Sequence, residues 1–172
     1  MIGVYDYTVV LTYLSLLSAS SGIMVSLWGK GHPFIGVFFL LLCGLFDAFD
    51  GKVARTKQNR TELEKKFGVQ IDSLSDLVAF GVLPACIGAS LIKNELFLKK
   101  VAHSGTPFWL GKLLYALLFA CLILYVLAAL IRLAYFNVEE EERQKTESSP
   151  RKYFTGLPVT TAALIFPSVM LL

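Results

Sequence analysis

Residues 47–55 read DAFDGKVAR, and residues 68–76 read GVQIDSLSD. These stretches place four aspartates in an otherwise apolar chain. Asp47 and Asp50 are three residues apart, and Asp72 and Asp76 are four apart, spacings that put each pair on one face of a helix. Carboxylates beside lipid-length apolar segments are too costly without compensation, which a hard divalent cation supplies. The pattern predicts a metal-dependent enzyme working at a membrane surface.

The composition independently indicates a membrane protein. Hydrophobic residues make up 55% of the 172 residues, charged residues only 17%, and the mean hydropathy is +0.63. A soluble domain of this length would carry more charge and shorter apolar runs. Five segments approach or reach the roughly 20 residues needed to span a bilayer: 8–28, 33–51, 71–92, 108–136 and 155–172. We therefore predict an all-α, polytopic membrane helix bundle, a single domain over residues 1–172, with a polar cavity facing the cytoplasm.

The distribution of basic residues predicts the orientation. If the N-terminus is cytoplasmic, eleven of the 16 basic residues fall on the cytoplasmic side. These are Lys52, Arg55, Lys57, Arg60, Lys65, Lys66, Arg132, Arg143, Lys145, Arg151 and Lys152. The opposite side keeps Lys30, Lys93, Lys99, Lys100 and Lys112. This asymmetry places the aspartates at the cytoplasmic face. The net charge of +3 is too small to indicate nucleic acid binding and better suits a basic rim against anionic lipid.

Cysteine and histidine do not indicate a second site. Cys43, Cys86 and Cys121 lie singly within apolar segments, so we interpret them as packing residues rather than a disulfide framework. His32 and His103 lack neighbouring ligands, which argues against zinc.

The two aspartate stretches together read D-x2-D-G-x2-A-R-x12-G-x3-D-x3-D. This pattern resembles the signature of the CDP-alcohol phosphatidyltransferase family, D-x2-D-G-x2-A-R-x8-G-x3-D-x3-D. Every fixed letter is present: Asp47, Asp50, Gly51, Ala54, Arg55, Gly68, Asp72 and Asp76. The departure is the longer gap, residues 56–67. We expect the extra residues in Glu62–Phe67, where they would lengthen a cytoplasmic loop.

The resemblance implies transfer of a phosphatidyl group from CDP-diacylglycerol to an alcohol, with release of CMP. It implies two Mg²⁺ or Mn²⁺ ions, one held by Asp47, Asp50 and Asp72 and the second by Asp47, Asp72 and Asp76. Asp76 would also be the catalytic base. It further implies a CDP-diacylglycerol site formed by Gly51, Ala54, Arg55, Thr61, Thr12 and Ser15.

Flanking segments resemble the phosphatidylserine synthases of this family and imply L-serine as the acceptor. Residues 72–84 match D-S-x-x-D-x-V-x-F-G-V-x-P, residues 132–137 match R-L-A-R-F-N except at Tyr135, and residues 154–158 match F-x-G-L-P. Arg132 and Asn137 are candidate ligands of the serine carboxylate and ammonium groups. Anchoring helix ends to lipid headgroups is an equally good interpretation of these two residues.

The resemblance also sets expectations beyond the site. Relatives commonly have six spans, so we expect a sixth helix beyond Leu172 and a chain truncated at its C-terminus. A homodimer in a bacterial or archaeal plasma membrane is expected, with membrane lipids as partners and no nucleic acid. The acidic run Glu139–Glu142 is expected to be a solvated loop rather than a metal site.

Other functions remain open at this point. The acceptor could instead be glycerol 3-phosphate or inositol phosphate. Intramembrane carboxylates also mark ion-coupled transporters, although carrier sites usually lie near the bilayer midplane with repeat symmetry, and the sequence has no visible repeat. A non-enzymatic membrane scaffold would leave Gly51, Ala54 and Arg55 unexplained.

Overall fold

The computed structural model describes residues 9–28, 32–54, 61–93, 108–146, 159–161 and 165. In chain order its elements are α1 (Val10–Leu27), α2 (Pro33–Ala54), α3 (Glu62–Asp76), a π-helical segment (Leu77–Val82), α4 (Leu83–Lys93), α5 (Phe108–Thr146) and a short 3₁₀ turn (Val159–Thr161). Within these residues there is no β-strand. The all-α prediction is confirmed.

Four helical stretches are long and apolar enough to cross a membrane. They are Val10–Leu27, Pro33–Asp50, Glu62–Ile92 and Trp109–Arg143. The last is the most apolar and the least covered by protein, which is expected of a helix that faces lipid. The fifth predicted span, 155–172, lies almost entirely outside the described residues, so the number of spans stays a prediction.

The core lies where α1, α2 and the α3–α4 region meet. Leu40, Phe80, Leu83 and Ile87 are fully buried in it. Small residues let these helices approach closely, as is usual between membrane helices. A Cβ added at Gly22 would lie 2.8 Å from Cβ of Phe39 on α2, inside van der Waals contact.

The hydrogen-bond pattern at the C-terminal end of the π-helical segment is explained by a nearby proline. Pro84 has no N–H and therefore cannot bond the carbonyl oxygen of Phe80, four residues earlier. The N–H of Leu83 bonds instead to the carbonyl oxygen of Val78, five residues back. The hydroxyl of Tyr125 on α5 donates to the Phe80 oxygen at 2.7 Å. This bond supplies the partner that a lipid environment cannot.

Two polar stretches predicted as loops are helical, so the loop assignment was wrong for each of them. Glu62–Phe67 forms the first turns of α3, because Thr61 and Glu64 form a capping box that satisfies the first N–H groups. Glu139–Glu142 continues α5, where Glu140 pairs with Arg143 one turn later at 2.6 Å. Charged residues of opposite sign three positions apart stabilise a solvent-exposed helix, so polarity alone does not indicate a loop.

Candidate metal centre and adjoining cavity

Three of the predicted aspartates converge in space. Asp47 and Asp50 lie in the last two turns of α2, and Asp72 lies in the second half of α3. One carboxylate oxygen from each lies within 4.8 Å of the others, and the side chains of Asp50 and Asp72 are within hydrogen-bonding reach. All three are half-buried. This acidic cluster depends on tertiary packing, because its members come from two helices.

Helix α1 aligns the two helices that carry the acidic residues. The thiol of Cys43 on α2 donates to the carbonyl oxygen of Ser15 at 3.3 Å. One turn further along this antiparallel pair, Asp47 lies level with Thr12. The hydroxyl of Ser75 on α3 donates to the carbonyl oxygen of Thr12 at 3.2 Å. A single turn of α1 therefore contacts both helices beside the cluster.

A cavity of about 790 Å³ adjoins the cluster between α3 and α5. Two predicted metal ligands, Asp72 and Asp76, line its wall, as do both predicted acceptor ligands, Arg132 and Asn137. Asp76 is half-buried one turn beyond Asp72 and is not among the three aspartates that converge. The further polar residues of the wall are Glu62, Lys65, Lys66, Gln70, Ser73, Glu140, Glu141 and Thr160.

The register of α3 against α5 sets the depth of these groups. Asn137 contacts Ser73, and a Cβ added at Gly81 would meet Ala129 at 3.3 Å. Because the helices run antiparallel, Arg132 lies close to the level of Asp76. One end of the cavity wall thus carries Arg132 and Asp76, and charged residues of both signs line the wall toward Glu62 and Glu141.

The residues predicted to bind CDP-diacylglycerol are less clearly associated with this cavity than the predicted metal and acceptor ligands are. Thr12 and Ser15 are buried within the helix packing at 4% and 3% exposure, and neither is among the described residues that line the cavity. Thr61 uses its hydroxyl oxygen to cap α3. Gly51 and Ala54 continue α2 just past the cluster. Arg55 lies outside the described residues. Their substrate roles stay predictions.

Sequence reasoning assigned no role to Ser73, which contacts the predicted acceptor ligand Asn137. The Asn137 amide nitrogen Nδ2 donates to Oγ of Ser73 at 2.7 Å, across 64 positions of sequence. The signal in the sequence that could have identified Ser73 was its position directly after Asp72.

The acidic cluster suits a hard divalent cation. Its donors are all carboxylate oxygens, the ligand type that Mg²⁺ and Mn²⁺ prefer. The oxygens lie within 4.8 Å of one another, so small side-chain rotations would bring them to the roughly 2.0–2.1 Å at which Mg²⁺ binds oxygen. The cluster can therefore hold a divalent metal ion through Asp47, Asp50 and Asp72.

Comparison with protein families shows which family the chain belongs to. A family model described as CDP-alcohol phosphatidyltransferase matches residues 8–172, nearly the whole chain. The chain belongs to this family. Its signature aspartates are those that converge in the cluster, with Asp76 on the adjoining wall.

Curated members of the CDP-alcohol phosphatidyltransferase family resemble the chain along most of its length. A CDP-diacylglycerol–serine O-phosphatidyltransferase of Saccharomyces cerevisiae is 36% identical over 163 residues, covering 89% of this chain and 50% of the relative. A protein of the same name from Helicobacter pylori is 32% identical, covering 92% and 56%. An archaetidylserine synthase of Methanothermobacter thermautotrophicus is 34% identical, with the same two coverages.

The similarities cover only part of the relatives and include no solved structure. The chain spans about half the length of the curated relatives it matches. No solved structure matches it significantly. The relatives come from yeast, bacteria and archaea, so the bacterial or archaeal source stays a prediction. The cytoplasmic orientation of the site also stays a prediction.

Proposed function

We propose that the protein transfers the phosphatidyl group of CDP-diacylglycerol to L-serine, giving phosphatidylserine and CMP. The observation that carries the proposal is the convergence of Asp47, Asp50 and Asp72 beside a cavity that also contains Asp76 and Arg132. The printed names of the relatives support serine as the acceptor.

The donor would bind with its pyrophosphate at the acidic cluster. Asp47, Asp50 and Asp72 would hold one Mg²⁺ or Mn²⁺, and Asp47, Asp72 and Asp76 the second. Bound there, divalent ions would neutralise the pyrophosphate and stabilise charge on the leaving CMP. Arg55 would add a fork of hydrogen-bond donors to phosphate oxygens.

The acceptor would enter through the cavity. Its carboxylate would pair with Arg132, and its hydroxyl would face Asp76, which lines the same cavity close to the level of Arg132. Asp76 would take the hydroxyl proton as the serine oxygen bonds to the lipid-side phosphorus and the bond from that phosphorus to CMP breaks. Close positioning of such a base contributes roughly 10²–10⁴-fold. No covalent phosphatidyl-enzyme would form, so the configuration at phosphorus would invert.

The test uses purified protein and CDP-diacylglycerol labelled in the phosphatidyl group. In one reaction the labelled donor is incubated with the protein and no acceptor, and the protein is then denatured and checked for label. In separate reactions the native protein and labelled donor receive L-serine, glycerol 3-phosphate or inositol phosphate. We expect labelled phosphatidylserine from serine alone and no label on denatured protein. Product from another acceptor but not from serine would reject serine. Label retained on the protein would reject direct attack.

A further inference from the structure

Ser73 and Asn137 form a polar contact between α3 and α5 at the cavity wall. Nδ2 of Asn137 donates to Oγ of Ser73 at 2.7 Å, and the Ser73 hydroxyl donates to the carbonyl oxygen of Val69 at 3.0 Å. A serine hydroxyl has only one proton to donate. Because this proton is directed at Val69, Oγ of Ser73 can only accept a hydrogen bond from Asn137.

This use of the proton fixes the orientation of the Asn137 amide. The NH₂ group must face Ser73, so Oδ1 must lie on the other side of the amide. Rotating the amide by half a turn would bring two acceptor oxygens together unless the Ser73 hydroxyl left Val69 to donate to Oδ1, so the turned amide costs one of the two hydrogen bonds. Asn137 lines the cavity together with Asp76 and Arg132. The orientation therefore determines whether Asn137 presents an acceptor or a donor to a bound molecule.

We propose that Ser73 is a positioning residue that makes Asn137 Oδ1 the acceptor for the ammonium group of the alcohol substrate. The proposal rests on the proposed function and identifies what selects serine at that site. Arg132 pairs with the carboxylate, Asn137 receives the ammonium, and Ser73 holds the amide in the required direction. An alcohol without an ammonium group gains nothing from the Asn137 acceptor.

The expected effects differ between the two residues. A hydrogen bond to a charged group contributes about 1.5–3 kcal/mol, which corresponds to roughly 10- to 150-fold in the serine preference when Asn137 is changed to Leu. Ser73→Ala keeps the amide but lets it turn, so we expect a smaller loss of roughly 3- to 10-fold.

The experiment compares kcat/KM for L-serine with kcat/KM for 3-hydroxypropionate, which lacks the ammonium group. This ratio is independent of the amount of folded enzyme. We expect Ser73→Ala to lower the ratio and leave KM for CDP-diacylglycerol unchanged, while Ser73→Thr keeps the wild-type ratio because its hydroxyl is retained. Ser75→Ala is the matched control, since Ser75 bonds to Thr12 instead, and it should not change the ratio.

The double variant tests whether Ser73 acts through Asn137. In an Asn137→Leu background, Ser73→Ala should have no further effect on the ratio. If the single alanine variant does not fold, Asn137→Asp provides a second test, because a carboxylate presents an acceptor in either orientation and should keep the serine preference.

Three results would overturn the inference while leaving the proposed function intact: an unchanged ratio in folded Ser73→Ala, additive losses in the double variant, or a lost preference in Asn137→Asp. Failure of the proposed function looks different. The wild-type protein would then make no product from serine while using another acceptor.

Discussion

The acidic cluster should make the metal-free protein less stable than a variant with one carboxylate fewer. Two unit charges 4.8 Å apart repel by about 3.5 kcal/mol at an effective dielectric constant near 20. Three carboxylates form three such pairs, and Asp50→Asn removes two of them. Protonation and side-chain rotation relieve most of this repulsion, so we expect a net gain on the order of 1–2 kcal/mol in excess chelator.

Divalent metal should reverse the order of stability. Wild type gains stability from an ion bound only to the folded state, about 2.7 kcal/mol at a metal concentration 100 times the Kd. Asp50→Asn has lost a ligand and should gain less. In thermal unfolding in detergent, the variant should melt about 2–8 °C above wild type in EDTA. In millimolar Mg²⁺ the variant should melt below wild type.

The matched control is Glu62→Gln, which removes a carboxylate outside the cluster. Glu62 makes an exposed pair with Lys65 at 3.1 Å, and such pairs contribute at most about 1 kcal/mol. Its melting temperature should move little, and equally with and without metal. The reasoning is refuted if Asp50→Asn melts below wild type by the same amount in EDTA and in Mg²⁺, because Asp50 would then be a structural hydrogen-bonding residue.

Three further predictions concern the helices that position the site. Thr61→Ala removes the cap of α3 and should lower the free energy of unfolding by about 1 kcal/mol, whereas Thr61→Ser should not; chemical denaturation measures both. Tyr125→Phe leaves the Phe80 carbonyl oxygen without its donor and should cost about 0.5–1.5 kcal/mol, measured by the loss in melting temperature. Gly36→Ala brings a Cβ against Ser26 Oγ and within 2.9 Å of the neighbouring α4 core. It should cost about 1–3 kcal/mol, and adding Ser26→Ala should recover part of that loss of melting temperature.

The features predicted correctly from sequence were those with a local signal. Apolar length predicted the helices, and spacings of three and four residues predicted paired carboxylates on each helix. The family signature connected the two pairs, of which Asp47, Asp50 and Asp72 converge in the structure. The capping box at Thr61 was also readable in the sequence, but the polarity of residues 62–67 favoured a loop.

The remaining features depend on how the helices pack. The contact of Ser73 with Asn137 and the burial of Thr12 and Ser15 follow from the registers of α3 against α5 and α1 against α2. No local pattern determines such registers. The π-helical segment depends partly on a local sequence signal and partly on helix packing. Pro84 predicts a missing bond, but only the packed structure supplies Tyr125 as the donor.

The most direct measurement is the release of CMP from CDP-diacylglycerol by purified protein that has been stripped with EDTA. On addition of L-serine, the stripped protein should be inactive, and Mg²⁺ or Mn²⁺ should restore serine-dependent release. Asp47→Ala and Asp72→Ala, each proposed to contact both ions, should stay inactive at any metal concentration. Full serine-dependent release in excess chelator, or release by Asp72→Ala at the wild-type rate, would contradict the account.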